Sequence, residues 1–231
     1  MPNTAQKQEK GAQGSRMIMI WDRPTRLFHW ALVLLVTTSF VTAKIGGNAM
    51  RYHMWSGFSI LALLIFRLVW GIIGSRYARF SSFVRGPTAV WRYTRSLMRP
   101  DHPGHLGHNP LGGWSIIAML LALLLQAVTG LFANDEIFTQ GPLYPWVSNP
   151  TSRLLTHIHH LNQWVILTLI GLHVLAVFFY LLVKRDNLIT PMITGAKPWH
   201  AGLEAPADAP RTTVAVIVTI LSAAAVYLLV R

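Results

Sequence analysis

The chain contains no cysteine among its 231 residues. Without a thiol it can form no disulfide, no cysteine-bound zinc site and no iron–sulfur cluster on cysteine ligands, and it can attach no c-type haem through a Cys-x-x-Cys-His motif. Any haem in this protein must therefore be held noncovalently.

Charge is also scarce, and negative charge in particular. Charged residues make up 12% of the chain and hydrophobic residues 52%, with 8 Asp and Glu against 20 Lys and Arg. This balance argues against a soluble globular protein and favours a membrane protein. The positive residues lie between apolar segments instead of forming one basic stripe, so no nucleic-acid partner is expected.

Five hydrophobic runs are long enough to cross a bilayer, which requires about 20 largely apolar residues per helix. They cover residues 27–43, 53–73, 111–132, 156–183 and 212–230. We predict an all-α integral membrane protein with an N-terminal tail over 1–26 and a Pro/Ala-rich linker over 198–211. The first run ends in Val-Thr-Ala, like a signal-peptide cleavage site, but the preceding polar region is long for a signal peptide, so we expect a retained span.

Lysine and arginine accumulate in cytoplasmic loops and thereby indicate orientation. In this chain they concentrate in the N-terminal tail, in the loop after the second run and in the segment after the fourth run. The opposite connections hold only Lys44, Arg51 and Arg153, and one of them also carries Asp135 and Glu136. The pattern predicts a multi-pass protein of the bacterial inner membrane, with a cytoplasmic N-terminus and a periplasmic C-terminus.

The fourth run carries a histidine near each end of the stretch HHLNQWVILTLIGLH over 159–173. At about 100° per residue, His159 and His173 lie only about 40° apart around the helix and roughly 21 Å apart along it. His29 near the inner start of the first run matches the depth of His173, and His53 at the outer start of the second run matches the depth of His159. The sequence therefore predicts two histidine pairs at two depths.

Two other histidines of the cluster, His157 and His160, lie on different faces of the helix and are expected at the membrane interface.

Two facing histidines at each of two depths are what a pair of stacked b-type haems requires, because each iron takes an imidazole on both axial sides. Such an iron passes electrons but has no open position for a substrate, so the pattern predicts transmembrane electron transfer. Arg67 lies fourteen residues after His53 and on the same face. It is expected either to pair with haem propionates or to extend to the inner interface. Gly57, one turn after His53, would let a macrocycle lie close to the helix.

Four stretches of the sequence resemble a known family. They are WDRPTRLFHW at 21–30, RLVWGIIGSRYARF at 67–80, GHNPLG at 107–112 and NLITPMITGAK at 187–197. They are similar to segments of the bacterial dihaem cytochrome b family, which includes the membrane subunits of nickel-iron hydrogenases and, more distantly, of formate dehydrogenases. The resemblance implies a four-helix transmembrane haem-binding bundle over 27–197 and a peripheral fifth transmembrane helix over 212–231. The implied axial ligands of two noncovalent haem b groups are His29, His53, His159 and His173.

The same resemblance implies a function in electron transport between the quinone pool and an extracytoplasmic partner. Quinone is expected beside His108 and Asn109, where either side chain would donate a hydrogen bond and a histidine would also relay protons. The expected partners are membrane lipid, quinone and a periplasmic redox protein, namely a c-type cytochrome, a hydrogenase or a molybdenum enzyme. The connection over 44–52 is shorter than hydrogenase subunits of the family tend to have, so the class of partner stays open.

Three alternatives also remain open. His102, His105 and His108 recur every third residue and would bind a divalent metal if they were aligned, although Pro and Gly interrupt any helix there. Arg51 and Arg153 would attract an anion to the outer haem, as in a stand-alone superoxide:quinone oxidoreductase. Histidines in membrane spans also suit the proton relay of a haem-free transporter.

Overall fold

The protein is described here by a computed structural model over residues 16–97, 107–137, 139–199 and 211–231. In chain order its elements are β1 (Arg16–Met19), α1 (Arg23–Ile45), α2 (Met50–Ile73), α3 (Phe80–Phe83), α4 (Pro87–Ser96), α5 (Pro110–Leu131), α6 (Asn149–Leu182), α7 (Ile189–Thr194), β2 (Ala196–Trp199) and α8 (Thr212–Val230). Helices α1, α2, α5, α6 and α8 are long and apolar enough to cross a membrane. The prediction of an all-α integral membrane protein is confirmed, with two short strands that it did not include.

Side-chain caps define where three of the spanning helices begin. The side-chain oxygens of Asp22, Asn109 and Ser148 each accept a hydrogen bond from the amide three residues later. A proline follows each cap within two residues, where its fixed φ suits the first helical turn. As a result α6 begins at Asn149, earlier than the predicted start at 156. At 1.5 Å per residue this helix is about 51 Å long, which exceeds the apolar thickness of a bilayer.

The connection between α1 and α2 is a tight turn. Gly46 and Gly47 have φ values of +68° and +53°, which glycine adopts without steric cost. A 3₁₀ turn over Gly47–Ala49 then leads directly into α2. The two helices run antiparallel, and His53 lies in the first turn of α2 beside the end of α1.

Helix α2 occupies the centre of the bundle, because α1, α5 and α8 all pack against it. Its side chains Leu64 and Trp70 are almost fully buried in one apolar cluster with Phe28 of α1, Leu120 of α5 and Ile166 of α6. Large apolar side chains elsewhere on the spanning helices are widely exposed on the isolated chain, as expected of faces that contact lipid.

Helix α8 packs along one side of α2. The guanidinium of Arg211 donates a hydrogen bond of 2.7 Å to the carbonyl oxygen of Ile73, one of the unpaired carbonyls at the end of α2. The buried residues of α8 recur every three or four positions and include small side chains that permit close helix contact. They are Ala215, Val218, Ser222 and Val226. In this fold the fifth spanning helix is therefore a packing element outside the histidine pairs.

Strands β1 and β2 join the segment that precedes the four-helix region in the sequence to the segment that follows it. Arg16–Met19 pairs antiparallel with Ala196–Trp199, and Trp30 Nε1 donates to the Met192 carbonyl oxygen over 3.2 Å. Gly195 has a φ of +91°, and a Cβ at this position would lie within 2.7 Å of atoms of the N-terminal segment. This small sheet and α7 close the end of the bundle that carries His29 and His173.

Candidate functional site

Four histidines form two pairs, one at each end of the bundle, and the two rings within each pair face each other. His53 of α2 and His159 of α6 have ring centroids 6.2 Å apart, with planes inclined at 84°. His29 of α1 and His173 of α6 have centroids 6.5 Å apart, with planes inclined at 53°. These are the pairs that the sequence predicted, and we refer to the two regions as the His53 end and the His29 end.

Both separations fit one metal ion between two axial imidazoles. A histidine nitrogen binds a first-row transition metal at about 2.0 Å and lies roughly 1.1 Å from its own ring centroid, so two opposed rings have centroids about 6.2 Å apart. Within the described residues, no cluster of three or more His, Cys, Asp or Glu is placed to hold a metal by itself. Two opposed protein ligands suit an iron porphyrin, because the macrocycle supplies the other coordination positions.

Hydrogen bonds at the His53 end determine which nitrogen of each ring faces the partner ring. His53 Nδ1 lies 2.9 Å from the carbonyl oxygen of Ser39 and 3.1 Å from its hydroxyl. His159 Nδ1 lies 2.9 Å from the carbonyl oxygen of Gln126. Because a carbonyl only accepts, Nδ1 carries the proton in both rings and the lone pair stays on Nε2, the nitrogen available to iron.

One surface of α5 positions His159. A Cβ at Gly130 would lie 2.9 Å from His159 Cε1, so the ring packs directly on the glycine backbone. The Thr129 hydroxyl lies 3.3 Å from His159 Nδ1, and one turn along α6 the amide of Asn162 donates to Gln126 Oε1 over 2.8 Å. These residues were not predicted from the sequence, although a buried amide within a membrane span is a recognisable signal of a specific partner.

The His29 end has a different environment. His29 Nδ1 is buried, and no described residue forms a hydrogen bond with it. The ring meets the indole of Trp30 edge to face, with centroids 4.9 Å apart. Packing, not a hydrogen bond to a carbonyl, therefore orients this imidazole within the described structure.

Residues 20–195 of the chain match the family described as prokaryotic cytochrome b561. The match covers well over half of the sequence and includes all four paired histidines. The chain belongs to the prokaryotic cytochrome b561 family. Membership means that this cytochrome uses b-type haem and takes part in electron transfer at a membrane, which argues against the haem-free transporter considered above.

Relatives of this cytochrome b561 chain carry hydrogenase names. A protein of Rhizobium leguminosarum bv. viciae named "Probable Ni/Fe-hydrogenase B-type cytochrome subunit" is 27% identical over 213 residues, covering 78% of this chain and 88% of the relative. A protein of the same name from Azotobacter chroococcum mcd 1 is 26% identical, covering 83% and 92%. The "Probable Ni/Fe-hydrogenase 1 B-type cytochrome subunit" of Escherichia coli (strain K12) is 23% identical, covering 79% and 92%. No solved structure matches the chain.

Arg67 of the cytochrome is buried on α2 toward the His29 end, with 3% of its surface exposed. Its Nη1 donates to the Ala78 carbonyl oxygen over 3.0 Å, and the guanidinium lies 5.0 Å from the centroid of the Phe80 ring. The guanidinium is therefore buried against the segment that follows α2 and is not exposed at the surface of the chain. Most of its five N–H donors have no acceptor among the described residues, and an anion beside them would be stabilised.

Gly57 lies one turn from His53 on α2. A Cβ at this position would meet no atom within 4 Å, so the helix surface is open there and has space for a flat ligand.

The ring of His108 is held between two aromatic side chains just before α5. Its centroid lies 4.5 Å from that of Trp21 and 4.7 Å from that of Phe83. Nδ1 is buried and has no hydrogen-bond partner in the described part of the chain. Burial, and then the charges of Arg67 and His173, lower the pKa of His108 to about 3, so the ring is neutral near pH 7. Of the three predicted loop histidines, His102 and His105 lie outside the described residues.

Asn109 connects the start of α5 to two tyrosines. Its Oδ1 accepts from the Gly112 amide over 2.7 Å, which fixes the orientation of the side-chain amide and directs Nδ2 to the Tyr180 hydroxyl, 2.9 Å away. The Tyr180 hydroxyl in turn forms a hydrogen bond with the Tyr93 hydroxyl. Burial, the hydrogen bond to Tyr180 and the nearby Asp186 carboxylate raise the pKa of Tyr93 above its ordinary value, so this hydroxyl keeps its proton. The two tyrosines were not predicted from the sequence.

The two arginines at the His53 end, Arg51 and Arg153, have partners in the described structure. Arg153 Nε lies 2.6 Å from Glu136 Oε1, and the guanidinium of Arg51 lies 5.3 Å and 5.1 Å from the rings of Tyr52 and Trp55. Pairing with Glu136 offsets the charge of Arg153. The arrangement therefore weakens the case for an anion-collecting surface of the kind that superoxide would require.

Proposed function

We propose that this cytochrome carries electrons across the bacterial inner membrane, between a quinone at the His29 end and a redox protein at the His53 end. Two b-type haems would be held noncovalently, one by His53 and His159 and the other by His29 and His173. The observation that supports this most strongly is the pair of ring separations, 6.2 and 6.5 Å, at the two ends of one bundle. When bound, each haem would supply a one-electron carrier whose iron has no open coordination position.

Residues around the histidines would complete the haem sites. The open surface at Gly57 would accept a macrocycle beside His53. Arg67 would direct its remaining N–H donors to a propionate at the His29 end. Ser39 and Gln126 would hold the ligand rings at the His53 end through their carbonyl oxygens.

The quinone site is proposed at the start of α5. His108 has a buried nitrogen with no partner in the described structure, and a polar atom of this kind is stabilised by a ligand that completes a hydrogen bond. A neutral imidazole can donate one such bond to a quinone oxygen. Asn109 uses Oδ1 as a helix cap and one Nδ2 hydrogen for Tyr180, so a single N–H remains for a ligand.

Orientation is proposed from the distribution of positive charge. The segment between α2 and α5 carries many arginines at the His29 end, which would face the cytoplasm. The described ones are Arg76, Arg79, Arg85, Arg92 and Arg95. The N-terminus would then be cytoplasmic and the C-terminus periplasmic. On α4 the guanidinium of Arg95 lies 4.7 Å from the ring centroid of the exposed Trp91, as suits a helix at the membrane surface.

The redox partner is proposed to dock at the His53 end. The relatives bear names that assign them to Ni/Fe-hydrogenases, so a hydrogenase is the first partner to test, with a c-type cytochrome or a molybdenum enzyme as the other classes. The α1–α2 turn at this end is short, whereas the α5–α6 connection is longer. Ile137 and Trp146 on this connection are 74% and 75% exposed, and such side chains commonly anchor protein partners.

Electron exchange with quinone tests the proposal directly. The purified full chain in lipid nanodiscs is mixed with short-chain ubiquinol or menaquinol, or, after reduction with dithionite, with the matching quinones, and haem absorption is followed. We expect electron exchange in at least one direction, and slower exchange in His108→Leu. Haem that dithionite reduces but that exchanges with no quinone or quinol would contradict the proposal.

A further inference from the structure

We propose that Tyr180 and Tyr93 form the proton path between the quinone and the cytoplasm, with Tyr180 as the group that exchanges a proton with the quinone oxygen. Asn109 positions Tyr180. This inference rests on the quinone site proposed at His108 and Asn109, and it assigns a route to protons that the two histidine pairs do not provide.

The hydroxyl groups are connected from the start of α5 outward. Asn109 Nδ2 donates to the Tyr180 oxygen over 2.9 Å, with the amide fixed by its bond to the Gly112 amide. Because Tyr180 accepts from Asn109, its own O–H is free to turn toward Tyr93, with which it is already hydrogen-bonded. The chain of contacts thus has a direction, from α5 through α6 to α4.

Tyr93 brings the path to the cytoplasmic side of the bundle. Its side chain is buried, although it lies on the short helix α4 whose other face is exposed. The carboxylate of Asp186 lies nearby and forms an ion pair with Lys197 over 2.7 Å, and both side chains are partly exposed. The Asp186 amide donates to the Tyr180 carbonyl oxygen over 2.9 Å, which anchors this carboxylate-bearing residue to the same tyrosine. A solvent-accessible carboxylate at the mouth of a proton path suits proton collection and release.

The proton balance is simple. Oxidation of a quinol breaks two O–H bonds and releases two electrons and two protons, and reduction of a quinone reverses both. For each proton released, the Tyr180 oxygen takes the quinol proton while its own proton passes to Tyr93, whose proton moves on toward the surface. Each hydroxyl gains and loses one proton and remains neutral throughout. His108 is less suited to this role, because its buried Nδ1 has no hydrogen-bond partner in the described structure to which a proton could pass.

The test compares Tyr180→Phe and Tyr93→Phe with Tyr227→Phe in full-length protein in nanodiscs. Tyr227 lies on α8 and is 62% exposed, so its variant controls for loss of a tyrosine hydroxyl elsewhere. We expect the first two changes to slow electron exchange with quinone by about tenfold or more, in line with the loss of a proton-transfer group. Their absorption spectra and dithionite reduction should match the wild type, and added formate, a small proton carrier, should restore much of the lost rate.

The possible results separate the proposals. A wild-type rate in both Tyr180→Phe and Tyr93→Phe overturns the proton path, and so does a slowed variant that formate fails to rescue and whose haem spectrum has shifted, since that result indicates a structural role. Because Tyr93 lies outside the spanning helices, its variant decides the matter if Tyr180→Phe fails to fold. Absence of quinone exchange in the wild type itself would instead refute the proposed function.

Discussion

His159 Nδ1 lies 2.9 Å from the backbone carbonyl oxygen of Gln126. The bond joins α6 to α5, so the direction of the imidazole depends on how closely these two helices pack. Gly130 sets that distance, because its missing side chain lets the histidine ring rest on the helix backbone. Haem retention at the His53 end is therefore expected to depend on a residue that touches no iron.

Gly130→Ala tests this dependence. The new Cβ would lie 2.9 Å from His159 Cε1, and overpacking of this kind typically costs about 1–3 kcal/mol. We expect weaker haem retention at the His53 end and unchanged retention at the His29 end, measured as the haem-to-protein ratio during mild denaturation. Gly171→Ala is the matched control, since a Cβ there would meet no atom within 4 Å. Equal retention in both variants would contradict the positioning role of Gly130.

Electron paramagnetic resonance of the oxidised protein should distinguish the two proposed haems. The ring planes are inclined at 84° at the His53 end and at 53° at the His29 end. Nearly perpendicular axial imidazoles make two iron d orbitals almost equal in energy, which produces a strongly anisotropic low-spin signal. We expect such a signal from the His53 end and a less anisotropic one from the His29 end. Two identical signals, or a high-spin signal from intact protein, would contradict the geometry.

Gly57→Leu tests whether a macrocycle lies against α2. Protein atoms leave space for the larger side chain, because none lies within 4 Å of a Cβ at this position. We expect the variant to fold, as judged by its helical circular dichroism, but to lose the haem at the His53 end. Gly171→Leu, on the exposed face of α6, should keep its full haem content. A Gly57→Leu protein with normal haem content would place the macrocycle elsewhere.

Arg67→Gln tests the proposed propionate contact. A buried positive charge favours the reduced, more negative form of a nearby haem, so its removal should lower the midpoint potential at the His29 end. We expect a decrease of about 60 mV or more, equivalent to a tenfold change in a one-electron equilibrium. Arg85→Gln removes the same charge from an exposed side chain and should shift neither potential by a comparable amount. An unchanged midpoint potential in Arg67→Gln would contradict a contact between Arg67 and the haem propionate.

Much of the fold could be predicted from local sequence. Five apolar runs of sufficient length indicate five spanning helices, and the fourteen-residue spacing of His159 and His173 indicates two ligands on one face. The early start of α6 was missed because residues 149–155 are largely polar, although Ser148 and Pro150 form a recognisable helix start.

The surroundings of the histidines could not be predicted in the same way. The acceptors at the His53 end are backbone carbonyl oxygens of Ser39 and Gln126, and every residue type provides such an oxygen. The hydrogen bond between Tyr93 and Tyr180 joins residues 87 positions apart on different helices. The pairing of β1 with β2 joins segments separated by nearly the whole four-helix region. These features depend on tertiary packing, which local periodicity does not specify.

Haem counting in histidine variants tests the central claim most directly. Pyridine haemochrome analysis of the purified chain should give about two b-type haems per polypeptide, since four imidazoles serve two irons. His159→Ala should lose the haem at the His53 end, whereas the neighbouring His160→Ala should retain both. Two haems in His159→Ala, or fewer than two in the wild type with all four histidines intact, would contradict the account.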